Sequence, residues 1–179
     1  EINASTFEGL DSLRILDVRN NNIFHIHRDA FIGLPKLDSL DLRGNILSVV
    51  EPNSFIGLAN LLNFHVVFNL TSLVQDIFNG LESIQNLNLS NHDLLSIEPG
   101  AFNGLSDITE LLLGNNHLDE LQTGTFNGLI NVRFLDLKMN NITTIHPDAF
   151  NMTISLIRLG LSGNNLNALH PSCFNGLTN

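Results

Sequence analysis

The feature that most constrains this chain is a phenylalanine that returns at a nearly fixed interval. Successive copies lie 24 residues apart, with one step of 23, at Phe7, Phe31, Phe55, Phe78, Phe102, Phe126, Phe150 and Phe174. The intervals hold leucines in the pattern L-x-x-L-x-L-x-x-N-x-L, as at Leu37, Leu40, Leu42, Asn45 and Leu47. A unit of this size buries its apolar face only against its neighbours, so the repetition indicates a solenoid of stacked coils.

Length and composition agree with a single solenoid. The 179 residues are 43% hydrophobic, which supplies enough Leu, Ile, Val and Phe for one continuous core. We therefore expect residues 1–179 to form one domain of about seven repeats that follow an N-terminal half repeat. No apolar run approaches the ~20 residues of a membrane span, so we expect no direct membrane insertion by this segment.

Each recurring residue type has a physical role within a coil. The L-x-L pattern of Leu40 and Leu42 alternates inward and outward as a strand must, and stacked coils would pair these strands in parallel about 4.8 Å apart. The asparagine amide offers two donors and one carbonyl acceptor, which suits a buried turn with unpaired backbone groups. We assign this structural role to Asn21, Asn45, Asn116, Asn140 and Asn164, and we expect the phenylalanines to stack as a second apolar column.

These residues resemble the extracellular, typical-type leucine-rich repeats of Toll and Toll-like receptors, Slit proteins and variable lymphocyte receptors. The resemblance covers essentially the whole chain. It implies an α/β-type repeat solenoid, a horseshoe with a parallel concave β-sheet and mostly irregular or short-helical convex loops. The family's cysteine-rich end caps have no counterpart here, so we expect a segment of a longer ectodomain.

The resemblance implies an extracellular binding protein, either on the cell surface or secreted, and leaves two roles open. The first is a segment of a cell-surface receptor ectodomain, of innate-immune or adhesion and guidance type, that binds another protein or a glycoconjugate. The alternative is a secreted structural glycoprotein of the extracellular matrix. A homo-oligomer is compatible with both roles.

The sequence offers little for catalysis. Its Ser, Asp and His residues form no recognisable triad, and no glycine-rich phosphate loop is present, so we predict no enzyme and no cofactor. His146 and His170 occupy equivalent positions in adjacent coils. Two histidines fall short of the three or four ligands of a zinc site, so we predict no metal site.

The outward positions of the concave strands are where we expect binding. Six of the eight Lys and Arg residues and five acids fall there, which leaves about +1 on this face and −11 elsewhere, in agreement with the net charge of −10. An acidic exterior disfavours nucleic acid as a bulk partner. The simplest interpretation of Asp17 with Arg19, Asp41 with Arg43 and Asp136 with Lys138 is that they neutralise one another across neighbouring strands.

The middle of this face carries apolar residues where the pattern leads us to expect exposed polar ones. Contiguous exposed apolar side chains serve as anchors in protein interfaces, although some could instead pack on each other along the sheet. The predicted ligand-binding residues, including the charged ones among them, are His65, Val67, Phe68, Glu110, Leu112, Phe134, Asp136, Lys138 and Met139.

Five N-x-S/T sequons favour an extracellular glycoprotein. The predicted glycosylation sites are the sequon asparagines Asn3, Asn69, Asn88, Asn141 and Asn151. Asn88 should project from the centre of the concave sheet, where a glycan would obstruct a large ligand.

The regularity fails at one place. The third repeat is a residue short between Val66 and Leu70, and the fourth has His92 where the asparagine belongs. An imidazole cannot reproduce the three-way bonding of an amide, so we expect a distorted turn here. The deletion leaves open whether Asn69 is a buried turn residue or an exposed glycan site.

Overall fold

Thirteen short strands follow one another in the computed structural model, which describes residues 1–177. They are β1 (Ile15–Asp17), β2 (His25–Ile26), β3 (Ser39–Asp41), β4 (Val49–Val50), β5 (Asn63–His65), β6 (Ser72–Leu73), β7 (Asn86–Asn88), β8 (Ser96–Ile97), β9 (Glu110–Leu112), β10 (Glu120–Leu121), β11 (Phe134–Asp136), β12 (Thr144–Ile145) and β13 (Arg158–Gly160). The odd-numbered strands form the concave face, and the even-numbered strands form a second column in which they pair in twos.

The concave strands pair in parallel with the register that the sequence predicts. Leu16 lies opposite Leu40, and Leu111 lies opposite Leu135, each step being 24 residues. Leu40 and Leu42 are both fully buried, and the residue between them faces outward. A single cluster of buried side chains runs from Ile2 to Cys173 behind this face.

The phenylalanines stack in a column, as predicted. Phe7 and Phe31 lie with ring centroids 5.6 Å apart and nearly parallel, and stacked pairs recur up to Phe150 and Phe174 at 6.1 Å, with an interruption between Phe55 and Phe78. The rings from Phe31 to Phe150 are fully buried, whereas Phe174, with a ring neighbour on one side only among the described residues, remains 36% exposed. Each inner coil thus closes the apolar surface of the one before it.

The convex loops contain no helix in residues 1–177, so they take the irregular form of the expected loops and not the short-helical one. The reason is visible in the second coil, where Asp29 (φ 58°) and Gly33 (φ 100°) bracket the phenylalanine in left-handed conformations. Left-handed residues end a right-handed helix, and only three residues lie between them. A Cβ at Gly33 would also lie 2.8 Å from the Phe7 carbonyl oxygen, so glycine is needed for close coil packing.

The turn asparagines form the expected ladder between coils. The Asn140 amide nitrogen donates to the carbonyls of Leu137 and Leu113, at 3.1 and 3.0 Å, and its oxygen accepts from the Leu118 N–H at 3.1 Å. Asn45, Asn116 and Asn164 make the same set of bonds. Asn21, in the first coil, donates to the carbonyls of Val18 and Arg19 in its own coil.

The regular stacking is interrupted between the third and fourth coils. The concave sheet is split there into β1-β3-β5 and β7-β9-β11-β13, with no strand pairing of β5 to β7 in the described residues. Phe64 meets Phe55 edge-on at 5.1 Å, and the parallel stack resumes with Phe78 and Phe102. The distorted turn predicted from the short repeat therefore affects the concave sheet as well.

Phe68 is buried, so the prediction that it is exposed on the concave face is wrong. It is only 3% exposed, and its ring packs on Phe78 at 6.1 Å. The Asn69 N–H donates to Leu47, as the residue after a turn asparagine does in other coils, so Phe68 holds the asparagine position itself. Asn69 is consequently exposed rather than buried in the turn.

Candidate functional site

The predicted binding residues other than Phe68 lie on three coils, the third, fifth and sixth, and the fourth coil between them contributes none. We define the central concave patch as His65, Val67, Glu110, Leu112, Phe134, Asp136, Lys138 and Met139. His65 and Val67 are exposed at one end, and Met139 is 60% exposed at the other. Leu112 and Phe134 are half-buried between them, because neighbouring strands crowd their side chains.

The charged pairs near the N-terminus are joined mainly within one strand. Arg19 donates twice to the Asp17 carboxylate, at 2.9 and 2.7 Å, and its contact with Asp41 on the next strand is longer, at 3.6 Å. Arg43 and Asp41 repeat the arrangement. The predicted neutralisation is present at these two pairs, but the direct bonds run along the chain, with only the longer contact crossing to the next strand.

These bonds shift the ionisation of the acids. The side-chain hydrogen bond from Arg19 lowers the pKa of Asp17 from 3.8 to about 2, with the Arg19 backbone N–H as the second cause. The Arg43 guanidinium lowers the pKa of Asp41 in the same way. In this part of the concave face the Asp17 and Asp41 carboxylates are therefore already paired with arginine side chains.

The third pair differs, because Lys138 makes no ion pair within 4 Å in the described part of the chain. The Asp136 oxygen instead accepts from the Lys138 backbone N–H at 3.0 Å. Asp17 and Asp41 accept from the corresponding N–H groups, but there the arginine side chain also returns to the carboxylate. The ammonium group of Lys138 is thus free to meet an acidic partner.

Glycines in the seventh coil make room for the side chains of this patch. A Cβ at Gly160 would lie 2.8 Å from the Asp136 carboxylate and 2.9 Å from Lys138, and one at Gly163 would lie 2.5 Å from the Met139 sulfur. The side chains of Asp136, Lys138 and Met139 therefore pack against the backbone of Gly160 and Gly163, where any larger residue would collide with them. Beside them, the Arg158 guanidinium lies 4.8 Å from the Phe134 ring centroid, a cation–π distance.

Met139 has a backbone conformation that disfavours its residue type. Its φ is 54°, in the left-handed region, where the equivalent residues of neighbouring coils are Asn115 and Gly163. Asparagine and glycine tolerate this region, whereas an unbranched apolar residue there costs roughly 1–2 kcal/mol. The chain thus holds an exposed apolar side chain at a strained position.

A groove of about 280 Å³ opens where the concave sheet is split. Residues of the third coil line one side, including His65 and Val67, and Asn88 and His92 of the fourth coil line the other. The groove extends the central concave patch toward Arg43. The sequence located the irregularity but gave no means of predicting an opening beside it.

All five sequon asparagines, Asn3, Asn69, Asn88, Asn141 and Asn151, are exposed. Asn88 is the last residue of β7 and points out of the concave face, as predicted. Its side-chain oxygen accepts from the Ser90 N–H at 2.9 Å, which leaves the amide nitrogen facing outward.

Sequence reasoning missed one cluster outside the concave face. His25, His27 and Glu51 meet within 3.3 Å, and Glu1 lies beside them. The signal is present in the sequence, since positions 1 and 25, and positions 27 and 51, are each 24 residues apart. His146 lies 3.5 Å from Glu120, and His170 accepts from the Ser172 N–H, while both histidines line one surface pocket.

The repeat pattern, the parallel concave sheet and the asparagine ladder define a class of protein. The leucine rich repeat family matches residues 1–47, 11–70, 68–118 and 106–166, which together cover most of the chain. The chain belongs to this family. No curated protein sequence matches it significantly.

Three solved structures show similar folds. TLR13 in its complex with ssRNA13 has a TM-score of 0.77 and 30% identity over 88% of this chain and 22% of its own. The octameric complex of latrophilin 3, Unc5D and FLRT2 contains a chain that matches with a TM-score of 0.67 and 26% sequence identity. The match covers 94% of this chain and 59% of that one. Toll of Drosophila, in complex with Spatzle, matches with a TM-score of 0.74 and 24% sequence identity. This match covers 92% of this chain and 26% of the Toll chain. This chain therefore spans less than two thirds of each.

Residues 1–177 contain no helix long and apolar enough to cross a membrane.

Proposed function

We propose that this chain is a ligand-binding segment of a cell-surface receptor ectodomain, of innate-immune or adhesion and guidance type. Its ligand is another protein, or a glycoconjugate displayed by one, and the contact surface is the central concave patch. The observation that carries the proposal is Met139, an apolar side chain that is 60% exposed although its backbone is left-handed. Strain of this kind persists where function needs the side chain, and exposed apolar anchors are typical of protein interfaces.

The surroundings of Met139 support a protein ligand. Lys138 offers an unpaired cation, Asp136 an acceptor, and Phe134 a half-buried ring, so apolar and polar contacts alternate over a short distance. Gly160 and Gly163 have no side chains, so the surface of the next coil leaves room beside these residues. A stiff solenoid also loses little conformational entropy when it binds.

Nucleic acid is the less favoured ligand. The chain carries a net charge of −10, and a phosphate backbone attracts basic surfaces. Arg14, Arg19 and Arg43 are already bound to carboxylates, which a phosphate would have to displace. The similarity to TLR13, which was solved with ssRNA13, makes RNA an outcome to test directly.

The relatives support a binding role rather than catalysis. FLRT2 occurs in a complex with other proteins, and Toll in one with Spatzle. Five exposed sequons support an extracellular location. We therefore propose no enzymatic activity for this segment.

The experiment is a binding screen with matched variants. Wild-type chain, expressed with native glycosylation, is probed against an array of secreted and cell-surface proteins and against single-stranded RNA. Every hit is repeated with Met139→Asn, with Lys138→Glu and with Lys36→Glu, a control that makes the same charge change in an exposed convex loop.

The proposal expects at least one protein hit whose affinity falls tenfold or more with Met139→Asn and Lys138→Glu but is unchanged with Lys36→Glu. Hits that resist both patch variants would place the interface elsewhere. Self-association without any protein hit would favour the structural matrix role. Binding to RNA alone would overturn the proposal of a protein ligand.

A further inference from the structure

We propose that His25, His27 and Glu51 form a zinc(II) site on the second strand column of the N-terminal coils. The site lies outside the concave face and does not depend on the proposed ligand. Its donors are two imidazole nitrogens and a carboxylate oxygen, a set that zinc accepts with a fourth position open to water or a further ligand.

Two of the three distances between the proposed ligand atoms are close to those of tetrahedral coordination. Zinc bonds of about 2.0–2.1 Å place neighbouring ligand atoms of a tetrahedron about 3.3–3.4 Å apart. Oε1 of Glu51 lies 3.0 Å from His25 Nε2 and 3.3 Å from His27 Nδ1. The two imidazole rings are stacked, with centroids 3.7 Å apart and 27° between their planes, so one ring must turn before both nitrogens point at a shared ion.

Backbone and neighbouring acids hold the ligands in place. The other Glu51 oxygen, Oε2, accepts from the Arg28 N–H at 2.9 Å, which fixes the carboxylate plane. That bond is the main reason why the pKa of Glu51 is lowered, with the hydrogen bond from His25 a smaller cause.

His27 supplies an independent observation. Its second nitrogen, Nε2, is buried without a hydrogen-bond partner and lies 3.6 Å from the Glu1 carboxylate. Histidines that bind metal through one nitrogen usually donate the other N–H to a carboxylate, which orients the ring. Metal on Nδ1 would place the proton on Nε2 and shorten this contact to a hydrogen bond. The ligand atoms of Glu1, His25 and His27 lie within 4.8 Å of one another.

The fold explains why these residues meet. His25 and His27 are two apart on an extended segment, so their side chains share a face. Glu51 follows His27 by one repeat, and Glu1 precedes His25 by one repeat. Stacking the first coils therefore brings the four side chains together without any local sequence motif.

The test uses the tag-free chain after treatment with a chelator. Zinc binding is measured by titration calorimetry, and Co²⁺ is added separately to record its ligand-field absorption, which reports coordination number. The variants are His27→Gln, Glu51→Gln and Glu1→Gln. The matched control is His146→Gln, which breaks a histidine–glutamate pair, with Glu120 at 3.5 Å, for which residues 1–177 offer no third metal ligand.

We expect one zinc ion per chain and a four-coordinate cobalt spectrum. Affinity should fall more than 100-fold with His27→Gln and Glu51→Gln, about tenfold with Glu1→Gln, and not at all with His146→Gln. Thermal melts without metal check that each variant folds. Absence of binding by the wild-type chain, an unchanged affinity in the two ligand variants, or an equal loss with His146→Gln would each overturn the proposal.

Discussion

The ring of Phe68 meets the imidazole of His92 edge-on, with centroids 6.2 Å apart. These residues hold the turn positions where five other coils have asparagine. One His92 nitrogen lies 2.8 Å from the Ser90 carbonyl, while Nε2 is buried without a partner. The asparagine ladder is thus broken at the joint where the concave sheet is split.

His92→Asn should stabilise the protein. The amide could donate to the Leu89 carbonyl, as Asn116 does to Leu113 in the next coil, and the unpaired Nε2 would disappear. A net gain of about 1 kcal/mol in the free energy of unfolding is expected for a restored hydrogen bond. Urea denaturation measures it, and an unchanged or lower midpoint would show that the histidine is well accommodated.

Asn140→Ala should be strongly destabilising. The change removes bonds to the Leu113, Leu118 and Leu137 backbones, together with a longer one of 3.3 Å to the Lys138 carbonyl, and it leaves the leucine groups buried. We expect a loss of about 2–4 kcal/mol. The matched control is Asn141→Ala, one residue away but exposed, which should change the free energy by less than about 0.5 kcal/mol. Equal effects of the two changes in urea denaturation would contradict the ladder.

The ionisation of Asp17 should follow its bond to Arg19. Its pKa is lowered from 3.8 to about 2, so the pair stabilises the fold above pH 3.8 and loses this contribution as the pH falls toward 2. NMR titration of the carboxyl carbon should give this low value. With Arg19→Gln the pKa should return toward 3.8, and a value that does not move would exclude Arg19 as the cause.

Met139→Asn should separate stability from binding. Asparagine tolerates the left-handed backbone, so the free protein should gain roughly 1 kcal/mol, while binding of a captured protein should weaken. The reverse change at a neighbouring coil, Asn115→Met, serves as the control and should destabilise. A methionine that stabilises the free chain relative to asparagine would remove the argument for function at this residue.

The sequence predicted those features that repeat in every coil. Leu40, Leu42 and Asn140 lie where the 24-residue period places them, because each coil repeats the same burial and bonding. Phe68 was misplaced because a one-residue deletion does not reveal which position is lost. Only the Asn69 backbone bond shows that the ring takes the asparagine position.

Two other features depend on geometry that a periodic pattern does not contain. The convex loops lack helices because Asp29 and other acidic or amide residues adopt positive φ, which their identity permits but does not require. Met139 was predicted on the concave face, but its strain appears only in its φ. The sequence thus places the candidate binding residues on the concave strands. Only the structure shows that the Lys138 ammonium group has no ion pair among the described residues, and that its side chain packs over Gly160.

The central claim, that the central concave patch binds a protein, is tested most directly by a glycan placed on it. Glu110→Asn with Leu112→Thr creates a sequon in β9, and Glu110→Asn with Leu112→Ala changes the same side chains without one. Asn151, an exposed sequon asparagine outside the concave strands, is predicted to carry a glycan of similar size elsewhere and serves as the comparison once its occupancy is measured. Affinity for a captured protein ligand is measured once mass spectrometry has established occupancy at residue 110 and at Asn88. We predict that the new glycan abolishes binding while the sequon-free variant retains measurable affinity. Full occupancy of Asn88, or unchanged affinity with a glycan at residue 110, would contradict the claim.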